Sequence, residues 1–450
     1  ADANEAWQLA IHQGNSWAAR KIHDNEVVYI PNNFMMDKVD LNDKETWRIE
    51  PKQVERAVKD GRHDAKNPIF NWRKVVAQES VRHERWNANR NVLAWKFLTG
   101  VEYNDPEEFP YSAVIDRKLG VKDAMALLRL HEDYIGQDQE LYHSKSEGIC
   151  RTTSHDSIVY NLTADPTLTE AWKTLGRPCQ SVFVPLYPLA GPAKGTAFTD
   201  PATATKEHFA GTPAMFDYRA DFTPHSVFSA SNNAIDYLRG DELAKRTQLI
   251  QAEEDKFMKD RAAVTKKAAG LKGEERTKFL HDYNQKSYDH VLKIMQAENA
   301  RLMPNKVKIL ADVVKADGDG TVDFALLGAK GHEVLSANME ATRAGMSANQ
   351  LNSTRQWKNF APAEKMVYKD VNNDGITDVV FTFKAKDVTK GAVAGAAMDL
   401  WLYTQINGHR VTGFDVVPVE NDKVKMNKGA RDGKGLLRNI ASHTHAVIGI

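Results

Sequence analysis

At 450 residues, with 60 Lys+Arg against 60 Asp+Glu, the chain carries no net charge. It therefore has no basic field to hold a nucleic acid or an anionic membrane. Its 42% hydrophobic content supports sizeable cores, and its most apolar run, GAVAGAAMDLWLY (391–403), is shorter than the roughly 18 residues of a membrane span and contains Asp399.

Two cysteines rule out a disulfide scaffold. A Cys150–Cys179 disulfide and two buried thiols remain as alternatives. No signal peptide is visible, and the opening ADANEAWQLAI, without an initiator Met, reads as a segment cut from a longer product.

In chain order, EAWQLAI, the polar turn HQGNS and WAARKI predict a β-hairpin, and EVVYIPNNF predicts a strand closed by Pro-Asn-Asn. Residues 51–145 read as mainly helical, starting at PKQVERAVKDG with its leading Pro and trailing Gly. DSIVYNL (156–162) returns to strand. TLTEAWKTLG (167–176) is expected to form a short helix, and SVFVPLYPLAG (181–191) a strand broken by prolines. No proline lies between Pro224 and Pro304. Dense mixed charge there predicts two long helices with a break near Gly270 and Gly273, their charges forming solvated faces.

From residue 305 the pattern becomes strand, acidic turn, strand. A boundary is placed at Pro304, giving a domain of residues 1–304 and a small, mostly β domain of residues 305–450. The tail 430–450 ends apolar, as a last strand or an interface would.

Several segments together resemble a known family. They are Trp7 in its strand, the run Trp17-Ala18-Ala19-Arg20, Asn32 with Phe34, Ile149-Cys150-Arg151, and Gly176 through Tyr187. In order and spacing these resemble peptidase family C69, dipeptidases of the N-terminal nucleophile hydrolase superfamily, over roughly residues 5–300. The resemblance implies an α+β fold in which a four-layer αββα sandwich holds two face-to-face sheets between helices. It also implies a nucleophilic cysteine at the mature N-terminus, activated by its own α-amine.

Ala1 is no nucleophile, so the chain is expected to lack the N-terminal segment with the catalytic Cys. Cys150 is internal, without an α-amine beside it. Arg151 and His155 could still depress its pKa. The expected contribution of this chain is the oxyanion wall: Asn32, or its neighbour Asn33, as amide donor. Arg151 is a candidate for holding a substrate carboxylate. His12 reads as a packing or surface residue, and His443 with His445 is too sparse for a metal centre.

DVNNDGITD (370–378) spaces oxygen ligands like a calcium loop, with Asp370, Asn372 and Asp374 at alternate positions. Gly375 gives the sharp turn, Ile376 a backbone carbonyl, and Asp378 the next carboxylate. KADGDGTVD repeats the design with Asp317, Asp319, Gly320 and Asp323, but Lys315 replaces the first ligand, so weak or no binding is expected there. Calcium at such turns is an extracellular habit, and a secreted, extracellular or cell-surface (or periplasmic) protein is expected.

The leading functional expectation is a secreted amide-bond hydrolase, a cysteine dipeptidase. Its partners would be an N-terminal fragment of the same precursor carrying the Cys, a peptide substrate, and a second copy of the chain in a homo-oligomer. The alternative is a non-catalytic surface or structural assembly protein that keeps the hydrolase fold.

Overall fold

The computed structural model describes residues 5–76, 83–131, 148–151, 154, 156–194, 227–238, 241–303, 306–316, 318–329, 333–346, 360–390, 394, 397–423 and 425. It is mixed α and β, compatible with the α+β class.

The predicted hairpin forms from β1 (Ala6–His12) and β2 (Ser16–Ile22), paired antiparallel from Ala6↔Ile22 to His12↔Ser16. Its turn is made by Gly14 and Asn15, both at positive φ (69° and 60°). Glycine and asparagine tolerate that left-handed backbone best. β3 (Glu26–Val28) and β4 (Val39–Asp40) follow, then β5 (Trp47–Ile49), which joins β2 on its other side.

Helix α1 (Pro51–Lys59) starts with Pro at its first position, and the Glu50 side chain accepts from Lys52 N–H at 3.2 Å. It covers one face of the hairpin sheet, where Ala18, Met36, Val39, Ala57, Phe70 and Trp72 form a core. β6 (Ile69–Phe70) pairs with β4, and α2 (Trp72–Val76) follows. Helix α3 (Arg85–Thr99), β7 (Ser112–Val114), which pairs with β3, and α4 (Val121–Leu128) complete this part.

A second small sheet contains β8 (Ser157–Asn161), β9 (Glu170–Thr174) and β10 (Val184–Leu186), in the order β10-β9-β8. Here the structure corrects the expected helix over 167–176. Only Pro166–Leu168 makes a helical turn, and Glu170–Thr174 is the central strand. The reason is tertiary. Trp172 is fully buried against the long helices, and Glu170, 3% exposed, accepts from Arg261 Nε at 2.6 Å. Those contacts outweigh the modest helical preference of the segment.

The helices are α5 (Val227–Leu238), α6 (Asp241–Gly270) and α7 (Gly273–Leu302), with the expected break at 270–273. Acidic residues occupy the first turns of α6 and α7 and basic residues the last, as the macrodipole favours. The segment after β9 approaches α5 so closely that a Cβ on Gly176 would lie 2.5 Å from Asn232 Nδ2 and 2.6 Å from Ser181 Oγ. Gly176→Ala is therefore expected to destabilise the fold by about 1–3 kcal/mol, read in urea melts.

Beyond residue 305 two sheets stack face to face. β11 (Lys306–Ile309), β13 (Thr321–Leu327), β16 (Lys365–Lys369) and β17 (Asp378–Lys384) make one, in the order β11-β13-β17-β16. The other has the order β12-β19-β18-β14-β15, from β12 (Val314–Lys315), β14 (Arg343–Met346), β15 (Ala361–Pro362), β18 (Ala397–Ile406) and β19 (His409–Glu420). Phe324, Phe381 and Phe383 from the first meet Leu400, Leu402 and Val417 from the second. The alternate residues of β18, Trp401 and Tyr403, face the other way and pack on Ala234, Ile235 and Leu238 of α5. A strand buried on both faces is what fastens this unit to the helices.

Candidate active site

The hairpin sheet carries apolar side chains on both faces, and among the described residues a packed core covers only one. Gln8, Ala10 and Ala18 point into the core under α1. On the opposite face Leu9 is 57% and Ile11 64% exposed, beside Trp7 and Trp17, which are half-buried. Arg48 lies over the Trp7 ring at 5.2 Å. β1 is also an edge strand. An edge strand with an open apolar face calls for a further layer.

At the turn end of this hairpin sits the Pro-Asn-Asn segment. Phe34 meets His12 edge-on at 6.0 Å and Trp72 at 5.0 Å. His12 is thus a packing residue. Phe34 fixes the backbone just after the two asparagines. Asn33 turns inward, its amide donating to Phe34 O at 3.3 Å and reaching Met35 Sδ at 3.2 Å. Asn32 is exposed and its side chain has no partner among the described residues. Of the pair, Asn32 is the one whose side-chain N–H donors are not engaged by the described residues.

Sequence reasoning gave no role to the cation on β2. Arg20 makes a two-pronged pair with Glu26, at 2.9 and 2.7 Å, inside a box of Trp47 (5.5 Å) and Tyr111 (5.2 Å). Burial pushes the Glu26 carboxyl up, but the Arg20 hydrogen bonds and the His23 N–H outweigh it and hold it below the ordinary range. Burial also raises the Tyr111 phenol well above its usual value. Arg20 belongs to the Trp17-Ala18-Ala19-Arg20 run, which was the available signal. Because the folded pKa of Glu26 is depressed, its stabilisation is complete above the unfolded value near 4.5. It is lost as pH falls through the lower folded value. Glu26→Gln is expected to cost about 1–3 kcal/mol at neutral pH and to flatten the acid limb of a stability–pH curve.

Cys150 is 2% and Cys179 8% exposed, and the structure joins neither in a disulfide. His155 lies outside the described residues. The histidine beside Cys150 is instead His131, whose ring nitrogen and the two sulfurs lie within 4.8 Å of one another. Arg151 is half-buried, and its backbone closes a turn with Ser154.

The acidic turn is built as expected of a tight Asx loop. Asp370 accepts from Gly375 N–H at 2.8 Å and Asp374 N–H at 3.2 Å, and Gly375 and Asn373 sit at positive φ. The Gly375 N–H, foremost, lowers the Asp370 carboxyl below its ordinary range. Asn372 and Asp374 hydrogen-bond each other, and Ile376 N–H donates to Asp374. Asp378 is fully buried, its two oxygens accepting from Val371 and Gly328 N–H. In the second turn Lys315 pairs with Asp422, Asp319 faces Lys386, and Asp323 accepts from Thr382. Asp317, His443 and His445 lie outside the described residues.

Residues 1–209 match the family described as peptidase family C69. Over that segment the chain is similar to peptidase family C69. It is also 28% identical over 248 residues to "Probable dipeptidase B" of Lactococcus lactis subsp. lactis (strain IL1403), covering 51% of this chain and 47% of that protein. The chain thus spans about half the length of the curated relative it matches. The C69 match stops short of the residue-300 limit that the sequence resemblance set. Among the described residues no helix is long and apolar enough to cross a membrane.

Proposed function

We propose that this chain is the scaffold and oxyanion side of a secreted cysteine dipeptidase, and that the attacking sulfur comes on another segment of the same precursor. The observation that carries this reading is the apolar face of the β1–β2 sheet, where Leu9 and Ile11 are exposed and no described element packs. A sheet that is apolar on both sides is a middle layer, and the strands of the nucleophile-bearing segment would supply the missing one, completing an αββα sandwich. Asn32 would donate its amide N–H to the oxygen that becomes negative as the amide carbonyl is attacked. Arg151 would face the substrate carboxylate. The proton leaving the thiol would go to the α-amine of the N-terminal cysteine.

The test is dipeptide hydrolysis by the chain alone and by the complete precursor. Activity is expected in the precursor alone, and iodoacetamide should abolish it. Hydrolysis by the isolated chain that disappears in Cys150→Ala would overturn the assignment. A precursor that never hydrolyses dipeptides would leave the surface-assembly alternative in its place.

The reading includes a structural calcium ion at 370–378, held by Asp370, Asn372, Asp374 and the Ile376 carbonyl, with Asp378 bracing the turn. These hard oxygens fit Ca²⁺. Millimolar calcium is expected to raise the melting temperature relative to EGTA, by the equivalent of about 2.7 kcal/mol if the ion is at 100 times its Kd. Asp370→Asn should remove that increment.

A further inference from the structure

We propose that His131, Cys150 and Cys179 form a binding site for a thiophilic divalent cation of the Zn²⁺ class. Three segments far apart in sequence bring one imidazole nitrogen and two sulfurs within 4.8 Å of one another. Tetrahedral Zn²⁺ with bonds of about 2.0–2.3 Å needs ligand atoms roughly 3.5–3.8 Å apart, within reach of small side-chain rotations.

The backbones carrying these ligands are already fastened together. Cys150 N–H donates to Leu130 O at 2.9 Å, which ties the Cys150 segment to the residue before His131. Arg90 Nε holds Gly148 O at 3.2 Å. Arg129 Nε donates to Pro178 O at 2.7 Å, so the His131 segment also grips the residue before Cys179. Arg129 is itself held by Glu254 of α6, at 2.5 and 2.9 Å, and lies over Phe183 at 4.9 Å. This outer frame orients the ligand-bearing turns as a metal site requires.

Charge favours the ion as well. Two thiolates and a neutral imidazole offset a divalent cation completely, so no net charge is left in the buried site. The guanidinium nearby is compensated by Glu254. Two sulfurs select Zn²⁺ or a similarly soft ion over Ca²⁺ or Mg²⁺. Binding releases the two thiol protons to solvent, so affinity rises with pH. The fourth position is left to water. The ion would clasp the end of α4, the 148–151 segment and the 177–183 turn, independently of the peptidase chemistry.

The experiment is a Co²⁺ titration of the reduced, chelator-stripped full chain, followed by Zn²⁺. One equivalent of cobalt should produce thiolate-to-metal charge-transfer bands and intense visible d–d bands, and zinc should bleach them. Cys150→Ser and Cys179→Ser should each weaken binding about 100-fold, and His131→Ala about 10-fold. Far-UV circular dichroism confirms that each variant is folded, and the wild-type titration decides the matter if a variant is not. A folded, reduced wild-type chain that gives no thiolate–cobalt band overturns the proposal. So does non-reducing peptide mapping that finds Cys150 and Cys179 joined as a disulfide in the protein as isolated.

Discussion

Asn32→Ala, made in the complete precursor, is expected to lower kcat for dipeptide hydrolysis about 10²–10³-fold, with a much smaller change in KM. In the proposed role the amide N–H would meet an oxygen whose charge develops in the transition state, so removing it would raise the barrier and leave ground-state binding largely intact. The position fits that role. Asn32 is exposed on a segment that Phe34 anchors between His12 and Trp72, so the donor is pre-positioned while its side chain stays available. Asn33→Ala is the matched comparison. Its amide is already turned onto Phe34 O and Met35, so that variant should lose stability more than turnover. Steady-state kinetics beside melting temperatures separate the two. If Asn33→Ala carries the kcat defect and Asn32→Ala does not, the oxyanion assignment moves by one residue.

Removing the Glu254 carboxylate is expected to give the largest loss of stability, about 3 kcal/mol for Glu254→Ala in urea unfolding. Glu254 is the hub of the helix-to-sheet contact. It takes two hydrogen bonds from Arg129 and a third, at 2.8 Å, from the Phe183 backbone N–H. The alanine variant leaves a cation and a buried N–H without their acceptor. The Glu254 side chain is 4% exposed and that of Arg129 23%, so water can relieve only part of the loss, and the estimate sits at the low end of the range for broken buried pairs. Glu254→Gln keeps an acceptor for Phe183 and removes the charge, and should fall about halfway. Equal effects of the two substitutions would show that packing, not the ion pair, carries the contact.

Both predictions depend on encounters that no window of sequence displays. Glu254 lies within a run of mixed charge that reads as a solvated helix face, and most of that run is one. The carboxylate is buried because the 177–183 turn and Arg129 dock on that side of α6. Likewise, nothing in IPNNF separates one asparagine from the other. The separation comes from which amide the Phe34–Met35 backbone captures. The strand at 170–174 was hidden for the same reason: its buried Glu170 is satisfied by Arg261 and Thr265 of α6 and by Asn161 of β8, and a polar residue with such distant partners looks locally like part of a helix. His131 stands among charged residues with no motif to mark it, and only folding brings it to Cys150 and Cys179.

What the sequence determined by itself was whatever the backbone decides within a few residues. Gly14 and Asn15 fix the hairpin turn because they tolerate positive φ. The proline-free, charge-patterned stretch fixes two long helices broken at 270–273, and alternation around acidic turns fixes the strands after 305. The ordered motifs from Trp7 to Tyr187 also carry the resemblance to peptidase family C69, which the match over residues 1–209 supports. The tertiary structure alone decided which face of the hairpin sheet the described residues cover, which asparagine their contacts leave exposed, and which sulfurs and imidazole meet. Those outcomes depend on side chains brought together across long stretches of chain, where packing and the burial of charge outweigh local preference.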